Sequence, residues 1–284
     1  MQYGLSLPNV GMYGDARTLA DLANLAEEAG WDGFFLWDTI HYQAEEQAVC
    51  DPWIALAAIA MRTERIKIGT MVAAPTRRRP WKMARETITL DHLSHGRFIL
   101  GVGAGDGSDR GFTDFGEERD VRKRARLLDE SLEILQGLWS GQLFSYSGEH
   151  YHIKEITFLP PPVQTPRIPI WIGGIWPRKG PMSRAARFDG VSAVTIHDES
   201  TFADLTPAEI HQLKLFMDEH HTTSAPFDIV TGGRVFDAVH DEQARAMLRA
   251  YDAVGTTWCL ESIWPQRDVD GLRASIRQGP PHLE

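Results

Sequence analysis

The chain has 284 residues, 43% of them hydrophobic, and a formal net charge of −10. This is enough apolar material for one large core, and α/β barrels of about 250 residues are routinely one domain. The acidic balance argues against a nucleic-acid partner, because proteins that bind phosphate backbones carry basic faces. With no signal-peptide pattern, no apolar run near the roughly 18 residues of a membrane span and no Cys-x-x-Cys pair, we expect a cytoplasmic protein whose two cysteines are reduced.

The first half of the chain alternates short apolar runs with longer amphipathic runs, a pattern typical of strands followed by helices. Helix starts carry local signals, such as Asp51 as N-cap with Pro52 in the first turn. The pattern predicts strands at residues 3–8, 33–37, 66–72 and 97–103 and helices at residues 15–30, 51–63, 80–94 and 121–141.

The alternation breaks between residues 142 and 168. The stretch "FSYSGEHYHI" predicts a hairpin with "SG" at its turn. The stretch "FLPPPVQTPRIP" fits neither a helix nor a central strand, because proline lacks an N–H donor and fixes φ. We therefore interpret 142–168 as an insertion between helix 4 and strand 5, over one end of a single domain that covers residues 1–284.

The strand–helix alternation then resumes to the end of the chain. It predicts strands at residues 169–174, 190–196, 227–236 and 256–263 and helices at residues 181–188, 206–221, 241–255 and 269–279. Parallel strands need crossover helices, and eight such units close into a (β/α)₈ TIM barrel. A doubly wound sheet is the rival fold, but eight units without a mid-chain switch favour the barrel.

Barrels of this kind carry their sites at the C-terminal ends of the strands. The strand "GFFLW" ends in Asp38, and Thr39 and His41 follow. His41 and Asp38 are thus the candidate catalytic acid–base groups. The alternatives are a structural hydrogen-bonding role for Asp38 and an ordinary loop position for His41.

Two glycine-rich stretches also follow strands. "GVGAGDG" (101–107) lacks side chains that would keep a flat ligand from the backbone, and it matches a dinucleotide loop only weakly. "WIGGIWPRKG" (171–180) combines glycines, Arg178 and a following helix, a combination that suits a phosphate. Trp171 and Trp176 are candidates for lining the pocket or for core packing. The run "TRRRP" (76–80) is either a solvated loop or an anion clamp.

These stretches, taken with their surroundings, resemble the bacterial-luciferase-like superfamily of flavin-dependent oxidoreductases. The block "DPWIALAAIAMRTERIKIGTMVAAPTRRRPWKMARETITLDHLSHGRFILGVGAG" carries most of the resemblance. "LWSG", "FSYSGEHYHI", "LPPPVQTPRIPIWIGG" and "RAARFDGV" continue it in order. The similarity runs over about residues 1–195, and residues 196–284 resemble the family only in their alternation of predicted strands and helices.

The resemblance implies a (β/α)₈ barrel that binds FMN or the deazaflavin F420 and a small-molecule substrate at its C-terminal mouth. It also implies a homodimer, a flavin reductase as an optional partner, and a non-proline cis peptide at Met71–Val72. Gly173, Gly174 and Arg178 would meet the cofactor phosphate. The full implied cofactor-binding set is Asp38, Thr70, Met71, Val72, Ala104, Gly105, Asp106, Gly173, Gly174, Ile175, Trp176 and Arg178.

One departure from the family pattern concerns the acid–base group. Close relatives read Trp-Asp-His at the end of strand 2, whereas this chain has Thr39 after Asp38 and a histidine only at His41.

With FMN the implied reaction is oxygenation by O₂, and with F420 it is hydride transfer. We predict no metal site.

Two other functions stay open. The missing histidine leaves room for a non-catalytic flavin-binding relative. A metal-dependent barrel hydrolase would use Asp38, His41 and His197 but lacks a His-x-His pair after strand 1. The substrate would depend on the insertion and on the loops at residues 106–118 and 197–206.

Overall fold

A computed structural model describes residues 1–42, 47–198, 201–223 and 225–283. Its strands are β1 (Gln2–Leu7), β2 (Gly33–Leu36), β3 (Lys67–Ala73), β4 (Phe98–Val102), β5 (Phe144–Ser147), β6 (His152–Ile156), β7 (Ile170–Ile175), β8 (Gly190–Asp198), β9 (Thr201–Asp204), β10 (Asp228–Gly232) and β11 (Trp258–Ser262). Its α-helices are α1 (Ala16–Glu28), α2 (Pro52–Arg62), α3 (Pro80–Leu93), α4 (Arg110–Thr113), α5 (Val121–Trp139), α6 (Lys179–Ala185), α7 (Pro207–His220), α8 (Glu242–Ala253) and α9 (Val269–Arg277).

Eight of these strands close into a parallel barrel. The order is β1-β2-β3-β4-β7-β8-β10-β11, and β11 pairs back to β1. Each neighbouring pair is parallel, and the connections between the strands carry the helices. The predicted (β/α)₈ barrel is therefore confirmed, and the rival doubly wound sheet is excluded because that sheet would be open.

Aspartate caps account for the sharp starts of several helices. Asp51 accepts hydrogen bonds from the backbone N–H groups of Trp53 (2.9 Å) and Ile54 (3.0 Å), and Pro52 opens α2. Asp15 and Asp120 cap α1 and α5 in the same way. A side-chain oxygen at the N-cap satisfies backbone donors that have no partner within the helix, so these boundaries can be predicted from sequence.

Aromatic and aliphatic side chains fill the barrel interior. The interior cluster consists of Phe35, Ile99, Trp171, Val230, Trp258 and Leu260. The rings of Phe35 and Trp171 lie 5.2 Å apart, and Trp171 Nε1 donates to Asp228 Oδ2 at 3.1 Å. Trp171 is fully buried there. Of the two alternatives for Trp171, the structure therefore shows core packing and not pocket lining.

The region after β8 differs from the prediction. Residues 197–206 were expected to form a loop, but β8 runs on to Asp198 and pairs antiparallel with β9, placing Val194 opposite Asp204. Residues 199 and 200 and the side chain of His197 lie outside the described part of the structure. The short strand β9 thus extends the sheet beyond the end of the barrel strand.

The segment between α5 and β7 contains the predicted hairpin, since β5 and β6 pair antiparallel. Glu130 of α5 accepts hydrogen bonds from three successive backbone N–H groups of the hairpin turn, at residues 149–151 and 2.9 to 3.1 Å. Asp91 of α3 does the same for Val163 (2.6 Å) and Gln164 (3.0 Å). Charged acceptors on two outer helices therefore hold this irregular segment in place.

None of the helices in the described ranges is both long and apolar enough to cross a bilayer.

Candidate active site

The implied site residues follow four barrel strands, β2, β3, β4 and β7, that are consecutive in the sheet. Asp38 and His41 follow β2, Thr70 to Val72 lie in the last part of β3, and Ala104 to Asp106 follow β4. Gly173 to Trp176 and Arg178 lie at the end of β7. Because parallel strands present their carboxyl ends at one edge, the barrel collects all of them at one mouth. Their contact with a ligand stays a prediction.

A ledge of backbone and small side chains forms where β3, β4 and β7 end. The peptide bond between Met71 and Val72 is cis, as predicted. A Cβ atom added at Gly103 would lie 3.2 Å from Val72 Cγ2, and one added at Gly173 would lie 3.2 Å from Val72 Cγ1. Val72 thus occupies the space that side chains at both glycines would need, and we name these three residues and Met71 the ledge.

Thr70 supports this ledge from below. Its side chain is fully buried, and its hydroxyl donates to the carbonyl oxygen of Gly101 at 2.7 Å. The predicted contact between Thr70 and a cofactor would therefore have to involve its backbone, because the side chain is already enclosed between β3 and β4. Met71 and Val72 are half-buried, and Met71 packs against the interior cluster.

The loop after β4 has a fixed conformation. Gly105 has φ +76°, and a Cβ atom there would lie 2.3 Å from Phe112 Cζ. Arg124 of α5 is buried and donates to the carbonyl oxygens of Ala104 (Nε, 3.1 Å) and Gly105 (Nη2, 3.4 Å). Thr76 donates to the same Ala104 oxygen at 3.2 Å. Only glycine fits position 105, both for its φ and for the ring beneath it.

Asp106 lies at the exposed end of this loop. Its Oδ1 accepts hydrogen bonds from the backbone N–H (2.9 Å) and the hydroxyl (2.7 Å) of Ser108. The loop therefore presents a carboxylate of defined orientation beside the ledge.

Asp38 is buried beneath the mouth and binds two arginines. Its Oδ1 lies 2.5 Å from Arg78 Nη2, its Oδ2 lies 3.4 Å from Arg77 Nη2, and Arg77 also donates to its backbone carbonyl oxygen. The side chains of Asp38, Arg77 and Arg78 are 0%, 3% and 18% exposed. Burial alone would lower the pKa of Arg78, but the charge of Asp38 and their hydrogen bond outweigh burial and raise it.

These contacts correct the interpretation of the arginine run as a solvated loop. Arg77 and Arg78 are enclosed, and Arg77 Nη1 also lies 3.7 Å from Asp109 Oδ2 in the loop after β4. Neither arginine was among the predicted site residues, although an anion clamp was one of the two alternatives for this run. A useful signal was available, since an acid at the end of a buried strand needs a cation, and the nearest basic run follows the neighbouring strand.

His41 faces the helix of the loop after β4. Its Nε2 lies 3.4 Å from Asp114 Oδ2, and its side chain is 36% exposed. Arg110 also binds Asp114 (2.7 Å), and Phe115 lies 6.5 Å from the imidazole, ring centre to ring centre. The hydrogen bond from Arg110, with smaller contributions that include His41, lowers the pKa of Asp114. His41 is therefore accessible and sits beside a carboxylate that stays ionised.

The end of β7 combines glycines with exposed cations. A Cβ atom at Gly174 would lie 2.5 Å from Pro181 Cβ, so α6 packs directly on the strand end. Arg178 is exposed and precedes α6, which begins two residues earlier than predicted, at Lys179. The ring of Trp176 packs edge-on against Phe216 of α7 at 6.3 Å.

Glu261, at the end of β11, is a strand-end acid to which the sequence analysis gave no role. Its Oε2 accepts a hydrogen bond from the backbone N–H of Phe236 at 2.9 Å. Burial raises the pKa of Glu261 to about 7, opposed by this hydrogen bond. The contact ties the end of β11 to the loop after β10.

The geometry gives the hydrolase alternative no support. Both oxygens of Asp38 face arginines, which compete with any metal for them. Within the part of the chain that the structure describes, no three His, Cys, Asp or Glu side chains gather in a way that could hold an ion.

Comparison with known proteins gives one family match and several relatives. Residues 1–274 match the family described as luciferase-like monooxygenase. An F420-dependent glucose-6-phosphate dehydrogenase of Microbacterium testaceum is 35% identical over 163 residues, which are 56% of this chain and 47% of that protein. The chain spans about half the length of the curated relatives it matches.

Two solved structures share the fold. An F420-dependent secondary alcohol dehydrogenase in complex with an F420–acetone adduct has a TM-score of 0.76 at 16% identity, covering 98% of this chain and 97% of that one. The oxygenating constituent of the 3,6-diketocamphane monooxygenase of Pseudomonas putida, in complex with FMN, has a TM-score of 0.63 at 18% identity, covering 87% and 70%. With the closed barrel and the match over residues 1–274, the chain belongs to the luciferase-like monooxygenase family.

Proposed function

We propose that this protein is an oxidoreductase that binds F420 or FMN on the ledge at the barrel mouth and acts on a small organic substrate. The observation that carries the proposal is the ledge itself, where Val72 fills the space in front of Gly103 and Gly173. The relative from Microbacterium testaceum is F420-dependent by name, which favours F420 over FMN.

The residues present fit such a cofactor. A flat ring needs a surface without projecting side chains, and side chains at Gly103 and Gly173 would meet Val72. Met71 and Val72 would lie behind the ring, and Ala104, Gly105 and Asp106 would lie along its side. The exposed Arg178, with Gly173 and Gly174, would bind the phosphate by charge-assisted hydrogen bonds.

When bound, the cofactor would supply the redox chemistry, as hydride transfer for F420 or oxygenation for FMN. The chain's own residues would orient the substrate and move its proton. We assign the proton transfer to His41, which is accessible and whose Nε2 lies 3.4 Å from Asp114 Oδ2. Asp38 is ill suited to this step, because two arginines hold its buried carboxylate. We assign Asp38 a positioning role instead.

The assembly belongs to the proposal as well. We expect a homodimer, and a flavin reductase partner only if the cofactor is FMN. Sedimentation at several protein concentrations checks the first, and activity with and without an added reductase checks the second.

The test is a titration of the purified protein with F420, FMN and riboflavin, in which quenching of cofactor fluorescence measures binding. We expect F420 or FMN to bind, and riboflavin to bind more weakly than FMN if Arg178 meets the phosphate. Gly173→Val should weaken binding of the preferred cofactor, because the new side chain needs the space that Val72 fills. If neither F420 nor FMN binds the wild-type protein, the proposal is wrong.

A further inference from the structure

The carboxylate of Asp204 lies at the end of β10. A Cβ atom added at Gly232, the last residue of β10, would lie 2.1 Å from Asp204 Oδ1 and 2.7 Å from Oδ2. The carboxylate therefore occupies the position that a side chain at residue 232 would take. Asp204 reaches it from β9, where it pairs with Val194 of β8.

The alternation of side chains along β10 shows on which side of the barrel wall the Asp204 carboxylate lies. Val230 belongs to the cluster that fills the barrel interior, and side chains two residues apart point to the same face of a strand. The space in front of Gly232 is therefore on the interior side, at the carboxyl end of β10. Asp204 thus lies on the rim of the same mouth as the ledge, with β8 between β10 and the ledge strand β7 in the sheet order.

The electrostatic setting of Asp204 differs from that of Asp38. Asp204 is open to solvent, yet the protein atoms around it still cause enough desolvation to raise its pKa, opposed by the backbone N–H of Gly232. Among the described residues, no arginine, lysine or histidine forms a salt bridge with Asp204, whereas two arginines bind Asp38. The Asp204 side chain is therefore available to bind a hydrogen-bond donor that enters the mouth.

We propose that Asp204 is a specificity-determining residue that accepts a hydrogen bond from a hydroxyl group of an uncharged substrate and disfavours phosphorylated substrates. This inference rests on the proposed function and names the substrate class of that site. A carboxylate gains a charge-assisted hydrogen bond from a hydroxyl but repels a phosphate that approaches it. The exposed Arg178, which follows β7, is already assigned to the cofactor.

Two variants test this position in different ways. Asp204→Asn removes the charge and keeps the shape of the side chain. Gly232→Ala keeps the charge but displaces the carboxylate, because the new Cβ atom would overlap it. Asp218→Asn is the matched control, since Asp218 is an exposed acid of α7 that pairs with Lys214 at 2.7 Å, away from the ledge.

The probes are two pairs of polyols, glycerol with glycerol 3-phosphate and glucose with glucose 6-phosphate. Binding to the cofactor-loaded protein is measured by calorimetry, and turnover is measured with the same probes. We expect the wild-type protein to prefer the uncharged member of each pair. Asp204→Asn should shift the ratio of affinities toward the phosphorylated member by on the order of tenfold, and Gly232→Ala should shift it in the same direction. Asp218→Asn should leave it unchanged.

Three results would overturn this inference: wild-type preference for the phosphorylated probes, an unchanged ratio in both variants, or no binding of any probe. Cofactor affinity, measured separately, distinguishes this failure from failure of the proposed function. If the wild-type protein binds its cofactor but gives any of these results, only the proposed role of Asp204 is rejected. If it binds no cofactor, the proposed function is rejected.

Discussion

Replacement of Asp38 by Asn tests whether the buried ion pairs hold the mouth together. The change keeps the size of the side chain but removes the only carboxylate that binds Arg78, with Nη2 at 2.5 Å from Oδ1, among the described contacts. Of its described ion pairs, Arg77 would keep the one with Asp109, which is 3.7 Å away and partly exposed. Two enclosed guanidinium groups would then lie together without their shared anion.

The magnitude follows from how deeply these groups are buried. Removing one partner of a buried pair costs about 3–5 kcal/mol, because the other charge stays buried without compensation. The exposures of 0% for Asp38 and 3% for Arg77 place this network in that class. For a domain of this size we therefore expect the Tm of Asp38→Asn to fall by roughly 6–20 °C.

The assay is thermal unfolding monitored by circular dichroism, applied to the four proteins of a double-mutant cycle. Arg78→Met alone should destabilise the protein, and the double variant Asp38→Asn/Arg78→Met should lose less than the sum of the two single losses, by about 0.5–3 kcal/mol. Arg79→Met is the control, since Arg79 is exposed and its guanidinium lies 5.8 Å from the centre of the Trp81 ring.

The reasoning is refuted if Asp38→Asn changes Tm no more than Arg79→Met does. Strict additivity in the cycle would also count against it, because it would mean that Asp38 and Arg78 do not stabilise each other.

Three further predictions concern single residues. The pKa of Glu261 is about 7 in the folded protein against an ordinary 4.5, so the folded state binds this proton more tightly. Its contribution to the free energy of unfolding is therefore fully present below pH 4.5 and falls by up to roughly 3 kcal/mol as the pH rises through 7. Glu261→Gln should thus raise Tm at about pH 8 and leave it nearly unchanged near pH 4.5; equal shifts at both would contradict this. Gly105→Ala should cost more stability than Gly116→Ala, since both glycines have positive φ but only at 105 does the new carbon meet Phe112; equal losses by denaturant unfolding would argue against that packing. His41→Ala should lower kcat by about 100-fold or more while cofactor affinity is unchanged, and an unchanged kcat would remove His41 from proton transfer.

The barrel was predictable because its signals are local. Strand runs are short and apolar, and caps such as Asp51 followed by Pro52 mark the helix starts within one residue. The strand β9 was missed because Thr201–Asp204 is short and carries no apolar alternation of its own. Its pairing depends on the extension of β8 beyond the barrel, which no local pattern indicates.

The site was predictable only as a set of strand ends. Sequence placed Asp38, Gly105 and Gly173 at the mouth, because strand ends in a parallel barrel meet at one edge. It did not reveal that Asp38 binds Arg77 and Arg78, 39 and 40 positions away. Such partners depend on how neighbouring loops fold over the barrel, and an exposed run of arginines reads the same in sequence as a buried one.

The contacts of Glu130 with the hairpin turn have a consequence for tolerance to mutation. The carboxylate binds main-chain N–H groups at residues 149–151, and every amino acid except proline supplies that group. The conformation of this turn therefore depends on a side chain about twenty positions upstream, in helix α5. The exposed Glu149 can therefore be replaced at little cost to the turn, whereas Gly148, where a Cβ atom would lie 2.4 Å from Glu130 Oε2, and the buried Tyr151 are constrained by packing. A change at Glu130 would remove all three hydrogen bonds at once.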